Sequence, residues 1–409
     1  MENKAAIALY QEASRGTISR RQVLRQASAL GLSVPVIAGL IASYGSGTTV
    51  AQGTPEAGGD VCATPDRPWL APEYDLGTGP IVRAGFGGSF SEQEFEAVWN
   101  PFKELTGVEV VEVPHNEGIH EQVIAQQEAG RVEFDIVEAT AAQYQQFSDV
   151  WMPIDYSIFP QATLDAMDER WKQPNAIGYA EVPIVIAWSE EAFPGDDKPD
   201  TWAKFWDTET YPGGRSLQGF SAFKVIEAAL LADGVAKDQL YPLDIDRAFA
   251  KLEQIKPHVP KWWTSGTEAQ QLLTSGEVSV IGISNSRIEN LMDQKLPFTY
   301  TLNEAIVHSD FIGVLKDAPH AKAAMAVLAF RFEPTIGARI GELWRQPIPS
   351  STVWQCADPA LRERWTTSPE NLDKIIVTDP FYWASEATDG DGRSIEDVVN
   401  ERFAEFISS

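Results

Sequence analysis

From residue 80 onward, short apolar runs alternate with segments whose apolar residues recur every three or four positions. Ile81-Val82-Arg83-Ala84-Gly85-Phe86 reads as a strand and Gly87-Gly88-Ser89 as a turn. Residues 92–106 read as a helix, because Phe95, Val98, Trp99 and Phe102 share one face at helical spacing. Gly107 is placed to end that helix, since glycine enters the left-handed region freely. A strand at 108–113, a helix at 119–130 and a buried strand at Phe134-Asp135-Ile136-Val137 follow. This alternation predicts an α/β fold with a largely parallel sheet. A second α/β stretch spans 189–300, with helices at 222–232, 245–255 and 267–275 and a strand at 278–283. Beyond Asp310 come a strand at 311–315, a helix at 321–332 and, after Glu333-Pro334, another helix to Trp344. Residues 346–409 hold short segments and end in an amphipathic helix at 395–407.

The first 79 residues follow neither pattern. Residues 52–79, rich in Gly, Pro, Thr and Ala, read as a flexible tether. Ahead of them, Ser19-Arg20-Arg21-Gln22-Val23-Leu24-Arg25 precedes a weakly apolar stretch at 27–44 interrupted by Pro35. That stretch falls short of the ~20 apolar residues a membrane span requires. Small residues at Thr49-Val50-Ala51 suit cleavage. Residues 1–51 therefore read as a removable signal of the twin-arginine type, which directs the chain to the periplasm or beyond the cell. No cysteine directly follows the apolar stretch, so no lipid attachment is expected.

At 409 residues, two domains is the natural expectation. With 44% hydrophobic and 10% aromatic residues, the chain has enough to bury sizeable cores. The formal charge is −27. The signal carries five basic residues (Lys4, Arg15, Arg20, Arg21, Arg25) and two acidic ones (Glu2, Glu12), so its removal leaves 27 basic and 57 acidic residues, or −30. Such a surface repels nucleic acid and anionic lipid. Cys62 and Cys356 are the two cysteines. In an exported protein they either form one disulfide or stay incidental and unpaired, and spacing alone leaves both open.

Catalytic signatures are absent: there is no GxSxG, phosphate loop, HExxH or CxxC. His115-Asn116-Glu117-Gly118-Ile119-His120-Glu121 has the residue types of a metal site, but its spacing matches no ligand pattern and it reads as a solvated loop entering a helix. Gly87-Gly88-Ser89 lacks the third glycine of a dinucleotide turn. It still offers backbone N–H groups and close approach at a helix start. In a plan of this kind ligands bind in the crevice at the carboxyl ends of the strands.

Five segments, in order, give the chain a resemblance to the extracellular solute-binding proteins of bacterial ABC importers, closest to the spermidine/putrescine-binding group. They are IVRAGFGGSFSEQEFEAVWNPFKELTGVEV, FDIVEATAAQYQQF, KPDTWAKFWDTETYPGGR, EQIKPHVPKWWTSGTEAQQLLTSGEVSVIGISNSR and NEAIVHSDFIGVLKDAPHAKAAMAVLAFRFEP. The match covers about 80–350. It implies a two-lobe periplasmic-binding fold, type II-like, with a ligand cleft and two crossing hinge strands near 183–188 and 300–304. One lobe would comprise 80–184 with 301–345, the other 185–300, and 346–409 would pack on both. It further implies no catalysis and no cofactor, a monomer, and a membrane permease as partner.

Pocket residues carry over one by one. Phe86, Gly88 and Ser89 lie at the first glycine turn, and Thr140 follows the FDIV strand. Glu181 stands in GYAEVPIVIAW, Trp262 and Trp263 in the aromatic segment, and Ser284 and Asn285 at the end of the GEV strand. Asp310 matches the carboxylate that binds amine in polyamine members, and Gln346 precedes Pro347. A polyamine needs carboxylates for its ammonium groups and aromatic faces for its methylenes. Two departures leave that aromatic box incomplete. The family's W-G-T reads Glu181-Val182-Pro183, and the run before Asp310 reads Glu304-Ala305-Ile306-Val307-His308-Ser309, without the usual Trp. The alternatives are the same fold binding an oxyanion, through donors at Gly88, Ser89, Thr140 and Ser284, the same fold binding a metal ion, for which no adjacent Tyr pair is present, and an exported enzyme of unfamiliar site.

Overall fold

In the computed structural model, which describes residues 61–85, 88–114, 119–387 and 392–409, eight strands form one sheet. They are β1 (Ile81–Gly85), β2 (Val110–Pro114), β3 (Ile136–Ala139), β4 (Ile177–Ser189), β5 (Arg215–Ser216), β6 (Val280–Ser284), β7 (Phe298–Val314) and β8 (Ile376–Val377). Their order is β2-β1-β3-β7-β4-β6-β5, with β8 beside β7. The helix-linked strands pair in parallel, β1 with β2 and β3, and β5 with β6. β7 runs antiparallel to β3 and β4, and β4 antiparallel to β6. The sheet is therefore mixed rather than largely parallel, because the two longest strands cross between two lobes in opposite directions.

The hydrophobic core shows the division. β4 up to Ala180 and β7 from Phe311 share one core with Trp69, Trp99, Phe102 and Trp151. β4 from Ile184 and β7 up to Val307 share a second with Trp202, Phe205, Trp263 and Phe403. Between the cores lie Glu181-Val182-Pro183 and His308-Ser309-Asp310, which face each other as Glu181↔Ser309 and Val182↔His308. Register shifts flank this stretch on both sides. The change of core on β7 thus falls later than the expected boundary at 300/301. Leu302, Ala305, Ile306 and Val307 are apolar and pack in the second core. Residues 346–409 divide between the lobes: Ile348, Val353 and Trp365 join the first core, and Trp383 and Phe403 the second.

The expected helix at 92–106 is interrupted. It runs as an α-helix Gly88–Glu94, a π-helical turn Phe95–Trp99 and an α-helix Asn100–Thr106 ended by Gly107 at φ 79. Pro101 lacks an N–H for the α ladder, and the wider turn ahead of it absorbs the break. The C-terminal helix Ile395–Ser408 starts from a Ser394–Asp397 capping box and buries Val399, Phe403 and Phe406.

The tether expectation fails for 61–79. Trp69 is buried against Phe102 and Phe330, and Arg67 makes a bidentate pair with Glu333 at 2.7 and 2.8 Å. A disulfide joins Cys62 to Cys356, with Cα atoms 5.4 Å apart. Low periodicity marked this segment as irregular, and irregular backbone docked by one Trp, one ion pair and one disulfide is still fixed. The signal, Phe86 and His115-Asn116-Glu117-Gly118 lie outside the described residues.

Candidate functional site

A cleft of about 470 Å³ opens between the lobes where β4 and β7 exchange cores. Its first-lobe wall is built on two buried arginines. Arg83 on β1 is 2% exposed, pairs with Glu94 and Glu138, and has Glu112 at 3.4 Å. Arg331 pairs with Glu94 at 2.8 Å and lies over the rings of Tyr179 and Trp344, each 5.0 Å away. Tyr179 donates to Glu138 at 2.8 Å. Burial, then Glu138, raises its hydroxyl well above the ordinary tyrosine range. Pairing of this kind offsets the cost of burying charge. The network fixes Tyr179 and Trp344 as cleft walls and already occupies Glu94 and Glu138. Phe90 completes this wall, its ring 5.3 Å from Trp344.

The second-lobe wall is aromatic and rich in donors. Trp263 donates to the Gly282 carbonyl at 2.9 Å, and Phe220, 62% exposed, lies over it at 5.6 Å. Two helices of nine residues, Gly266–Thr274 and Asn285–Asp293, begin at the cleft. Ser265 caps the first. Ser284, at the start of the second, makes no capping bond; it meets Ser286 and Gln346 at 3.1 Å each. Arg287 lies across Gly266, where any Cβ would come within 2.5 Å of its Nε. No ion pair to Arg287 occurs among the described residues. Two helix starts, three hydroxyls and a guanidinium converge here, a corner that favours an anion.

The floor carries the opposite sign. His308 Nδ1 is 3.1 Å from the Val182 carbonyl, and its Nε2 is 3.4 Å from Asp310 Oδ1. A carbonyl only accepts, so Nδ1 holds the proton. Burial, then Lys224, lowers the His308 pKa and favours the neutral ring. Neutral His308 then offers Asp310 no proton, and Asp310 Oδ1 is buried with no hydrogen-bond partner. This carboxylate lacks a donor that a solute ammonium would supply.

A second chamber of about 510 Å³ adjoins the first. Val182, Phe220, Trp263, Ser284 and Asp310 line both.

Of the expected site residues, Trp263, Ser284, Asp310 and Gln346 line the first chamber, and Thr140 lines the second while capping the helix Ala141–Phe147. Gly88 and Ser89 open the helix that carries Phe90 and Ser91 to the cleft. Three others point elsewhere. Glu181 is buried on the far face of β4, bonded by the Thr366 hydroxyl. Burial raises its pKa to about 7. Trp262 packs edge-on against Phe403 and Phe406. Asn285 donates to the Arg345 carbonyl at 2.6 Å. His120, of the histidine cluster, is core, stacked on Phe147. No group suited to a metal is found among the described residues. Sequence reasoning missed Arg287, Lys224, Phe90, Phe220, Tyr179 and Trp344. For Arg287 a signal existed, since it sits in the first turn of a helix directly after a strand.

A profile of bacterial extracellular solute-binding proteins matches residues 97–361. The chain belongs to that family. As a bacterial extracellular solute-binding protein it serves an ABC importer, working outside the cytoplasm and handing a small molecule to a permease, and its relatives are transport proteins rather than enzymes. The γ-aminobutyric acid-binding protein of Pseudomonas aeruginosa is 26% identical over 313 residues, covering 73% of this chain and 85% of the relative. An ABC transporter structure from Rhodopseudomonas palustris is 30% identical with a TM-score of 0.68, covering 80% of this chain and 99% of that one. A structure described as the Atu4243-GABA receptor is 26% identical with a TM-score of 0.69, covering 80% and 97%. The two-lobe periplasmic-binding fold of this solute-binding protein is thus shared with its relatives.

Proposed function

We propose that this solute-binding protein captures an ω-amino acid of the γ-aminobutyric acid type. Its ammonium sits on Asp310 and its carboxylate in the Arg287 corner. The observation that carries this is the opposition of charge across one chamber: a buried Asp310 oxygen with no donor, and an Arg287 guanidinium with no carboxylate among the described residues. A polyamine has no use for the second. The names of the P. aeruginosa relative and of the Atu4243 receptor support an amino acid solute over a polyamine. Phe90, Trp344, Phe220 and Trp263 supply aromatic faces that the sequence comparison found missing. Closure of the lobes about 181–183 and 308–310 then buries the solute by hinge motion.

The test is calorimetry on the mature protein with γ-aminobutyrate, 5-aminovalerate, putrescine and spermidine. The ω-amino acids bind and the diamines do so at least tenfold more weakly. Tighter binding of putrescine than of every ω-amino acid overturns the assignment. Export is proposed to follow the twin-arginine route, from Arg20-Arg21 and the stretch at 27–44. Lys at both positions should strand the precursor in the cytoplasm, and normal export of that variant rejects the route.

A further inference from the structure

An ω-amino acid held between Asp310 and Arg287 lies in the first chamber and leaves the second unused. Lys224 lines that second chamber and is only 6% exposed. Among the described residues no carboxylate lies within ion-pair distance of it, and its ammonium reaches the Val182 carbonyl at 3.4 Å. Asp310 and Glu227 act on it only across a distance, and a buried amine with no carboxylate in contact is costly to charge. Its backbone is costly too: Lys224 has φ 68, a left-handed conformation that a non-glycine side chain rarely adopts. The loop ahead of it is braced from two sides. The Gln218 amide donates to the Ser221 and Phe223 carbonyls, and Asn400 Oδ1 accepts from the Ala222 N–H at 2.8 Å. The fold thus holds a buried amine in a strained position at a cavity wall.

The same chamber is lined by Asp310, shared with the first, and by Glu396 and His308. A lone carboxylate would meet Asp310 and Glu396, and a lone amine would meet Lys224. A head group that carries both charges on one carbon satisfies all three. Asp310 lines both chambers, so a solute ammonium held on it stands beside the second as well as the first. A carboxylate added to the amine-bearing carbon could then share the second chamber with Lys224.

We propose that Lys224 is the anchor for an α-carboxylate, so that the preferred solute is an α-amino dicarboxylate: ammonium on Asp310, α-carboxylate on Lys224, distal carboxylate at Arg287. This rests on the ω-amino acid reading of the first chamber and adds one charged group to it. Docking of a carboxylate also sets an anion in contact with Lys224, whose pKa burial lowers to about 7 against the pull of Asp310 and Glu227.

Matched pairs of equal chain length test it: γ-aminobutyrate against glutamate, 5-aminovalerate against 2-aminoadipate, and 6-aminohexanoate against 2-aminopimelate. In calorimetry on the mature protein, at least one dicarboxylate binds tenfold or more tightly than its partner. In Lys224→Met that preference falls to near unity. Lys224→Gln serves as a second variant if the first is poorly folded. If ω-amino acids bind and no dicarboxylate exceeds its partner, the Lys224 assignment is wrong while the first-chamber reading stands. If the preference survives loss of Lys224, another group is the anchor and the proposal fails. If neither series binds, both readings fall.

Discussion

Exchanging the two charges of the first chamber separates the possible solutes more sharply than any screen. Asp310→Asn keeps the side-chain shape and removes the negative charge. Its new amide N–H faces the unprotonated Nε2 of His308, so the floor stays satisfied. Arg287→Gln shortens a partly exposed side chain that holds no carboxylate among the described residues, so no buried partner is stranded. A hydrogen bond to a charged group contributes ~1.5–3 kcal/mol net. At 1.4 kcal/mol per factor of ten, each variant should weaken γ-aminobutyrate by roughly 10- to 150-fold. A diamine responds differently: Asp310→Asn weakens it, whereas Arg287→Gln leaves it equal or tightens it by removing a like charge. Titration calorimetry of the three proteins with both solutes, with melting curves to confirm the fold, reads all of this. If Arg287→Gln binds γ-aminobutyrate as well as the parent does, the carboxylate is not at that corner. If Asp310→Asn does so, the ammonium is not on the floor.

Two further outcomes follow from the same geometry. Glu181 has a folded-state pKa of about 7 against 4.5 for the free side chain, so the folded chain binds the extra proton and stability falls as pH rises from 4.5 through 7. Glu181→Gln can still accept from Thr366 and should stabilise by up to roughly 3 kcal/mol at pH 8 and by little at pH 4.5; denaturant unfolding at the two pH values checks this, and an equal effect at both rejects the burial argument. Phe220→Ala removes an exposed ring that lines both chambers. It should leave the melting temperature nearly unchanged yet weaken the solute by ~0.5–2 kcal/mol, the range of a cation–π contact, and a large loss of stability would mean the ring is structural instead.

Much of the fold was legible because burial leaves a periodic trace. The strand–helix alternation and the two α/β stretches follow from apolar spacing alone. The exchange of cores was harder to read, because β4 and β7 are each apolar on both sides of it. Only the polar steps Glu181-Val182-Pro183 and His308-Ser309-Asp310 mark the place. Site residues on strands fail or succeed by parity. Ala180 and Val182 face the cleft, so Glu181 between them cannot. Trp263 faces the cleft, so its neighbour Trp262 turns to Phe403. Arg287 carried one signal, its place in the first turn of a helix directly after a strand, whereas Lys224 carried none, since its burial at the wall of the second chamber is a tertiary property. Arg83 looked like an ordinary strand residue, and only the convergence of Glu94, Glu138 and Glu112 reveals it as the base of the first wall.

The central claim is that a single zwitterionic amino acid closes this cleft. Titrating the mature protein with γ-aminobutyrate while recording small-angle scattering tests it directly. The account predicts saturable binding of one molecule per chain with a fall in the radius of gyration at saturation. Heat and compaction with putrescine, and neither with any ω-amino acid, would contradict it.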